Sequence, residues 1–176
     1  MVYRLYNVDE EIQKAKYLYS SYGSDIMEDK RCSELLKQYD ASIEESRGLM
    51  KELGVIEICS SCADERCGGC CYFGVETWYS KTVLLMNLLM GIEIQETRKF
   101  EKNCLFVDEK GCRLKARFKP CIHHLCQKIR NTVSHHNFVK LRAVTNHEIK
   151  LGVQAESAIR DFVLAYQRKG GRSCGA

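Results

Sequence analysis

The chain has 176 residues, of which 45% are hydrophobic and 28% are charged, and its formal net charge is +4. This is the composition of an ordinary globular protein, and the length fits one domain with room for a hydrophobic core. The acidic start and the short longest apolar run, residues 83–90, argue against a secretory signal and a transmembrane helix, so we expect a cytoplasmic protein.

Two amphipathic helices are predicted at the N-terminal end. The first is expected over residues 9–22, with Asp9 as its N-cap and Gly23 as its end. The second is expected over residues 28–53, where apolar residues alternate at spacings of three and four. Gly54 is its expected C-cap. Residues 55–58 are predicted to be extended.

The sequence after residue 76 predicts further helices and a short hairpin. The expected elements are a helix from Thr77 or Ser80 to Met90, a hairpin over 104–114, a helix over 121–143 broken near Ser134, and a final helix over 157–167. We therefore predict a mainly α fold, in which a single helical domain wraps around a cysteine-rich metal-binding or cluster-binding core with a short β-hairpin. Its expected parts are N-terminal helices (1–58), the cysteine core (59–126), C-terminal helices (127–169) and a flexible tail (170–176).

Cysteines are the strongest functional signal in the sequence. Nine of the eleven lie within residues 59–126, and two pairs have the Cys-x-x-Cys spacing that brings two thiolates to one metal ion. In a reducing cytosol, clustered thiols favour metal binding over disulfides. The candidate ligands are Cys59, Cys62, Cys67, Cys70, Cys71, Cys104, Cys112, Cys121 and Cys126. Cys32 is predicted to be a core residue and Cys174 a free thiol in the tail.

The identity of the metal stays open between two candidates. One structural zinc ion needs four ligands, so nine thiols are compatible with two Zn²⁺ ions or with one iron–sulfur cluster and spare thiols. The thiol surplus and the lack of two clean four-ligand sets favour a [4Fe–4S]-type centre. His123 or His124 could replace a thiolate, and His135, His136 and His147 are weaker candidates.

The cysteine spacings resemble those of a zinc- or iron-chelating cysteine-cluster family of the YkgJ type. Its core motif is matched by Cys67-Gly-Gly-Cys70-Cys71, its second part by Cys104-Leu-Phe and Gly111-Cys112, and its last cysteine pair by Cys121 and Cys126. The family's leading cysteine position is Asp64 here, and its Arg-Pro pair is Arg117-Phe118. The resemblance covers residues 59–126 and implies a cluster or zinc centre. A similar block accompanies flagellin lysine-N-methylases, so an enzyme of methyl-transfer or redox type is an alternative.

Charge is distributed unevenly along the chain. Residues 1–109 carry 13 basic and 20 acidic side chains, whereas residues 110–147 carry nine basic ones, all five histidines and no acid. This basic segment could bind nucleic acid, with Arg113, Lys115, Arg117, Lys119, Lys128 and Arg130 supplying charge and Phe118 a stacking ring. It could instead balance a thiolate-ligated centre. A protein partner is also compatible with the sequence, and a membrane partner is not expected.

Overall fold

The computed structural model describes residues 5–64 and 70–170, without the side chains of 62–64 and 169–170. In that part the protein is mainly helical, with one two-stranded antiparallel sheet. The helices are α1 (Val8–Glu28), α2 (Lys30–Glu52), α3 (Val55–Asp64), a 3₁₀ helix (Val75–Trp78), α4 (Lys81–Leu89), α5 (Lys119–His123), α6 (Gln127–Thr132) and α7 (His135–Gly170), and the strands are β1 (Val107–Asp108) and β2 (Gly111–Cys112).

Helix α1 is longer than the sequence predicted. Its N-cap is Asn7, whose side chain accepts a hydrogen bond from Glu10 N, so the expected cap at Asp9 is wrong. The expected end at Gly23 is also wrong, because α1 continues for another turn. That turn buries Ile26 completely. Burial of an isoleucine outweighs the roughly 1 kcal/mol that a glycine costs inside a helix.

Helix α2 agrees with the sequence prediction at both ends. Asp29 accepts a hydrogen bond from Cys32 N at 2.8 Å as the N-cap, and Gly54 follows the helix with a φ of +68°. The predicted apolar seam is buried from Leu36 to Met50. Cys32 is 2% exposed in the same core, as predicted.

Helix α3 corrects the prediction of an extended segment over 55–58. The sequence Val-Ile-Glu-Ile resembles a strand, but here tertiary packing decides the conformation. Val55 is buried in a second hydrophobic cluster, and Ile56 and Ile58 pack against that cluster from the helix.

Helix α4 is central, as predicted. It starts at the expected N-cap Ser80, packs against α1, and buries Leu84 and Leu85 completely. The sequence prediction treated this helix as apolar and gave no role to Asn87, which is also fully buried. Gly91 follows the helix with a φ of +77°, as expected for its end.

The C-terminal half contains one long helix where two were predicted. The break near Ser134 is confirmed, but α7 then runs on without interruption through residues 144–156, because Leu151 and Ala155 are buried there. It packs along α2. A second break separates α5 from α6, and the extended backbone at His124 and Cys126 lets Leu125 enter the second hydrophobic cluster.

A hairpin is confirmed within the predicted range 104–114, with its strands at Val107–Asp108 and Gly111–Cys112. Val107 pairs with Cys112, and Asp108 pairs with Gly111, which has a φ of +99°. None of the described helices is long and apolar enough to cross a membrane. The single-domain assignment stays a prediction, and residues 171–176 of the predicted tail, with Cys174, lie outside the described part of the chain.

Candidate metal centre

Six of the nine candidate cysteines line one cavity, which has a volume of about 100 Å³. We call it the cysteine cavity, and its thiols are those of Cys59, Cys70, Cys71, Cys112, Cys121 and Cys126. They come from α3, the segment before the 3₁₀ helix, β2, α5 and the N-cap of α6. Elements that are distant in sequence therefore bring these six cysteines to one cavity, whereas their role as ligands stays a prediction.

The loop that carries Cys70 and Cys71 is fixed by backbone pairing. Cys104 N donates to Cys71 O at 2.8 Å, and Tyr72 forms an isolated antiparallel bridge with Asn103. An ion pair between the buried Glu76 and the half-buried Arg98 holds the same region, because Arg98 also donates to Asn103 O. These contacts position the two adjacent thiols relative to the hairpin.

Asn87 positions the segment that connects Cys112 to Cys121. Its Oδ1 accepts hydrogen bonds from Lys115 N and Ala116 N, and its Nδ2 donates to Val83 O and Ala116 O. Both donors and both acceptor sites of the amide are used. One buried side chain of α4 therefore holds the backbone that leaves β2. Sequence reasoning missed Asn87, although a lone asparagine in an apolar helix is a detectable signal of a buried hydrogen-bonding role.

Tyr79 contacts the cavity from the hydrophobic core. Its hydroxyl group donates to Cys121 Sγ at 3.7 Å, and its ring packs edge-on against Phe106. The side chain is 1% exposed. Donation to a sulfur favours the thiolate form of a ligand. No spacing pattern in the sequence connects Tyr79 to Cys121, which lies 42 positions away.

The thiols are close enough to affect one another electrostatically. Burial raises the pKa of Cys121 to about 11, the Tyr79 hydroxyl opposes this rise, and the charge of Cys112 adds to it. A hydrogen bond between Cys70 and Cys71 lowers the pKa of Cys70 and raises that of Cys71. The pKa of Cys70 is lowered to about 6, whereas those of Cys71 and Cys121 are raised. Several adjacent thiolates would therefore need positive charge to coexist in this partly buried cavity.

Arg117 brings a positive charge to the cavity wall. Its side chain is 15% exposed, and its Nη2 lies 3.8 Å from Oε1 of the fully buried Glu148, which is too far for a hydrogen bond. Burial by itself would lower the pKa of Arg117, but the charges of Glu148, Cys112 and Cys121 raise it. Arg117 therefore faces both a carboxylate and the thiols.

Three candidate cysteines are not among those that line the cavity: one is buried elsewhere, and two have no described side chain. Cys104 is 4% exposed in the main hydrophobic core, and burial raises its pKa. Cys62 belongs to α3 without a described side chain, and Cys67 lies outside the described residues. Among the described residues, no three histidine, cysteine or acidic side chains are already arranged to hold a metal ion. The thiols thus share a cavity but are not preformed as a coordination sphere.

The histidines separate into two groups. His124 lines the cysteine cavity. The hydrogen bond with Cys71 has the largest effect and lowers the pKa of Cys70, burial raises it, and the charge of His124 lowers it. The side chain of His123 lies outside this cavity and borders a neighbouring recess. His135, His136 and His147 are exposed on α7 and line neither of these two surfaces. His124 is thus the histidine that the geometry keeps as a candidate ligand.

The basic segment is partly neutralised within the fold. Lys115 pairs with Glu44 at 3.0 Å and also with Asp40, Arg113 pairs with Asp108 at 3.8 Å, and Arg117 faces Glu148. Three of the six side chains proposed for a nucleic-acid surface therefore face acids of the same chain. This arrangement favours the charge-balancing interpretation for those three residues.

No protein-family model, curated protein or solved structure matched the chain. The resemblance to the YkgJ-type family therefore stays a hypothesis that rests on the cysteine spacings alone.

Proposed function

We propose that the protein is a metal-binding cysteine-cluster protein that holds an iron–sulfur centre of the [4Fe–4S] type, with a structural or redox role. The observation that carries this proposal is the convergence of six thiols on one cavity. Soft thiolate ligands suit iron–sulfur clusters and zinc better than they suit hard cations. The donor chemistry of the cavity therefore fits the group.

The residues that would hold the centre are those whose thiols border the cavity. Cys71, Cys112 and Cys121 are half-buried, and Cys59 and Cys70 are exposed. Arg117, His124 and the Tyr79 hydroxyl supply positive charge or hydrogen-bond donors next to the thiols, which stabilises their ionised form. A bound cluster would supply one-electron transfer or fix the surrounding segments. The exposure of Cys59 and Cys70 leaves one side accessible, which favours exchange with a partner over a sealed structural role.

Zinc is the alternative occupant, and the size of the cavity favours the cluster. The number of thiols does not decide between them, because one structural zinc ion and one [4Fe–4S] cluster each use four ligands. The cavity of about 100 Å³ is several times larger than the roughly 10–15 Å³ that one water molecule needs by a similar measure, so it has room for a group of several atoms.

Metal and sulfide analysis of anaerobically purified protein tests the proposal. We expect iron and acid-labile sulfide in near-equal amounts and a broad visible absorption band that bleaches on reduction. Zinc without sulfide would establish the alternative. Folded protein without metal, with every cavity thiol reactive towards an alkylating reagent, would reject both.

Matched cysteine variants locate the centre. Cys112→Ser and Cys121→Ser should lose most of the bound metal, whereas Cys32→Ala should keep it, because Cys32 packs in the α2 core rather than in the cavity. The helical content measured by circular dichroism separates metal loss from misfolding. Equal metal loss in all three variants would contradict the assignment of the cavity.

A further inference from the structure

A second concave surface adjoins the cysteine cavity and has a volume of about 770 Å³. We call it the basic recess, and its polar side chains are those of Lys119, His123, His124, Arg130 and Arg142. We propose that the basic recess is a binding site for a small phosphate-bearing molecule. This inference does not rest on the metal centre, because it involves none of the thiols.

Within residues 5–61 and 70–168, whose side chains the structure describes, no acidic side chain pairs with the cations of the basic recess. Neither α5 nor α6 contains an acidic residue, and the first acid of α7 is Glu148, which is fully buried beside Arg117. In the described part of the chain, Lys119, Arg130 and Arg142 form no ion pair. An anion would relieve the repulsion among these neighbouring positive charges.

Two arginines of the recess are held in place before any ligand binds. Arg130 Nε donates to Leu125 O at 3.1 Å, and Arg142 Nη1 donates to His123 O at 2.8 Å. Both guanidinium groups also lie over the ring of Phe138, at 5.6 and 5.5 Å from its centre. Each uses a single N–H in these backbone bonds and has four others. Preorganised guanidinium groups bind phosphate oxygens in pairs and lose little entropy when they do so.

The volume of the basic recess and the small extent of its positively charged surface favour a small ligand over a nucleic acid. A volume of about 770 Å³ falls within the range of roughly 300–1,000 Å³ that small-molecule pockets have. A nucleic-acid surface needs an extended track of free cations. Here, however, Arg113, Lys115 and Arg117 face acids of the same chain. The ring of Phe118 and the imidazoles offer flat faces for an organic group attached to the phosphate.

Titration of the full-length protein with pyrophosphate at physiological salt, followed by calorimetry, tests the inference. Arg130→Gln and Arg142→Gln should each weaken pyrophosphate binding by about tenfold or more, because each removes charge-assisted hydrogen bonds. Arg142→Lys should lose part of the affinity, since it keeps the charge and loses the planar fork. The charge-matched control is Arg160→Gln, on an exposed part of α7 away from the recess, and it should bind like the wild type.

Three results would overturn the inference. One is an equal loss of affinity in Arg160→Gln and Arg142→Gln, which would indicate a nonspecific effect of net charge. Another is tight, strongly salt-dependent binding of a short single-stranded oligonucleotide without pyrophosphate binding, which would indicate a nucleic-acid site. The third is no binding of either probe. Metal content measured on the same samples shows whether pyrophosphate binding and the proposed metal centre succeed or fail independently. If Arg142→Gln fails to fold, Arg130→Gln provides the test.

Discussion

The hydroxyl group of Tyr79 donates a hydrogen bond to Cys121 Sγ at 3.7 Å from within the aromatic core. Its ring lies against Phe106 and Phe118, with centroid distances of 5.1 and 6.2 Å. Burial raises the pKa of Tyr79 well above its ordinary value, so the hydroxyl stays protonated and can only donate to a thiolate. A fixed donor next to a candidate ligand links the hydrophobic core to the cysteine cavity.

Tyr79→Phe should weaken metal retention without unfolding the protein. The ring keeps its aromatic contacts, and only the donor to Cys121 is removed. Loss of such an outer hydrogen bond typically lowers metal affinity by about 10–100-fold. Competition with a metal chelator measures this change. Tyr17→Phe, at a tyrosine that is 61% exposed on α1, is the control and should behave like the wild type. Unchanged retention in Tyr79→Phe would remove Tyr79 from the centre.

Asn87→Ala should be strongly destabilising. The substitution leaves Lys115 N, Ala116 N and Ala116 O without their side-chain partner in a buried position. We expect the free energy of unfolding to fall by about 3–5 kcal/mol, because each orphaned buried group costs about 1–3 kcal/mol. Chemical denaturation measures the change. The control is Asn131→Ala on the exposed surface of α6, which should shift stability by less than about 0.5 kcal/mol.

Asn87→Ala also tests how the site is positioned. Because Asn87 holds the backbone between Cys112 and Cys121, the variant should lose bound metal under conditions where it remains folded. A variant that retained both full stability and full metal content would show that the four hydrogen bonds contribute little.

The helical periodicity of the sequence predicted the parts of the fold in which local pattern and burial agree. In α2 and α4 the caps at Gly54 and Ser80 and the buried apolar positions are as predicted. It failed where tertiary contacts override local preference. Residues 55–58 have strand-forming side chains but become helical because Val55 packs in the second cluster. Gly23 was read as a helix end, yet burial of Ile26 extends α1 through it.

The sequence suggested which types of residue form the candidate site, but it did not predict how they are arranged in space. Residue type and spacing suggested thiolate chemistry, and six of the nine candidate cysteines line the cavity. It could not separate Cys104, which is buried in the main core, from Cys121, which borders the cavity. The contacts of Tyr79 and Asn87 join residues that are about 30 to 40 positions apart, and they depend on how α4 packs.

Two glycine substitutions should change stability in opposite directions. A Cβ at Gly152 of α7 would lie 2.9 Å from the ring of Tyr39, which is 2% exposed and packed in the core. Gly152→Ala should therefore destabilise the protein by about 1–2 kcal/mol through overpacking between α2 and α7. At Gly48 of α2 a Cβ meets nothing within 4 Å, so Gly48→Ala should stabilise by about 0.5–1 kcal/mol. Thermal melts of both variants check this, and a stabilised Gly152→Ala would show that Tyr39 can move aside.

Glu148 should make stability depend on pH. Burial raises the pKa of this carboxyl above its ordinary value, and the opposing effect of Arg117 is smaller. The folded state therefore holds the proton more tightly than the unfolded state does. Ionisation of Glu148 then costs stability as the pH rises from the unfolded pKa through the folded pKa. Below the unfolded pKa the carboxyl is protonated in both states, and this cost disappears.

Glu148→Gln isolates this effect, because glutamine resembles the protonated carboxyl in shape and charge. The stability of the variant relative to the wild type should increase as the pH rises above about 4.5. Denaturation of both proteins at several pH values between about 5 and 8 measures the trend. Asp161→Asn, at an exposed acid on the same helix, is the control for the loss of one negative charge. If the stability of Glu148→Gln relative to the wild type falls as the pH rises, the prediction is wrong. Pairing of Glu148 with Arg117 then outweighs the cost of burial, because removal of one partner of a net-favourable buried pair is destabilising.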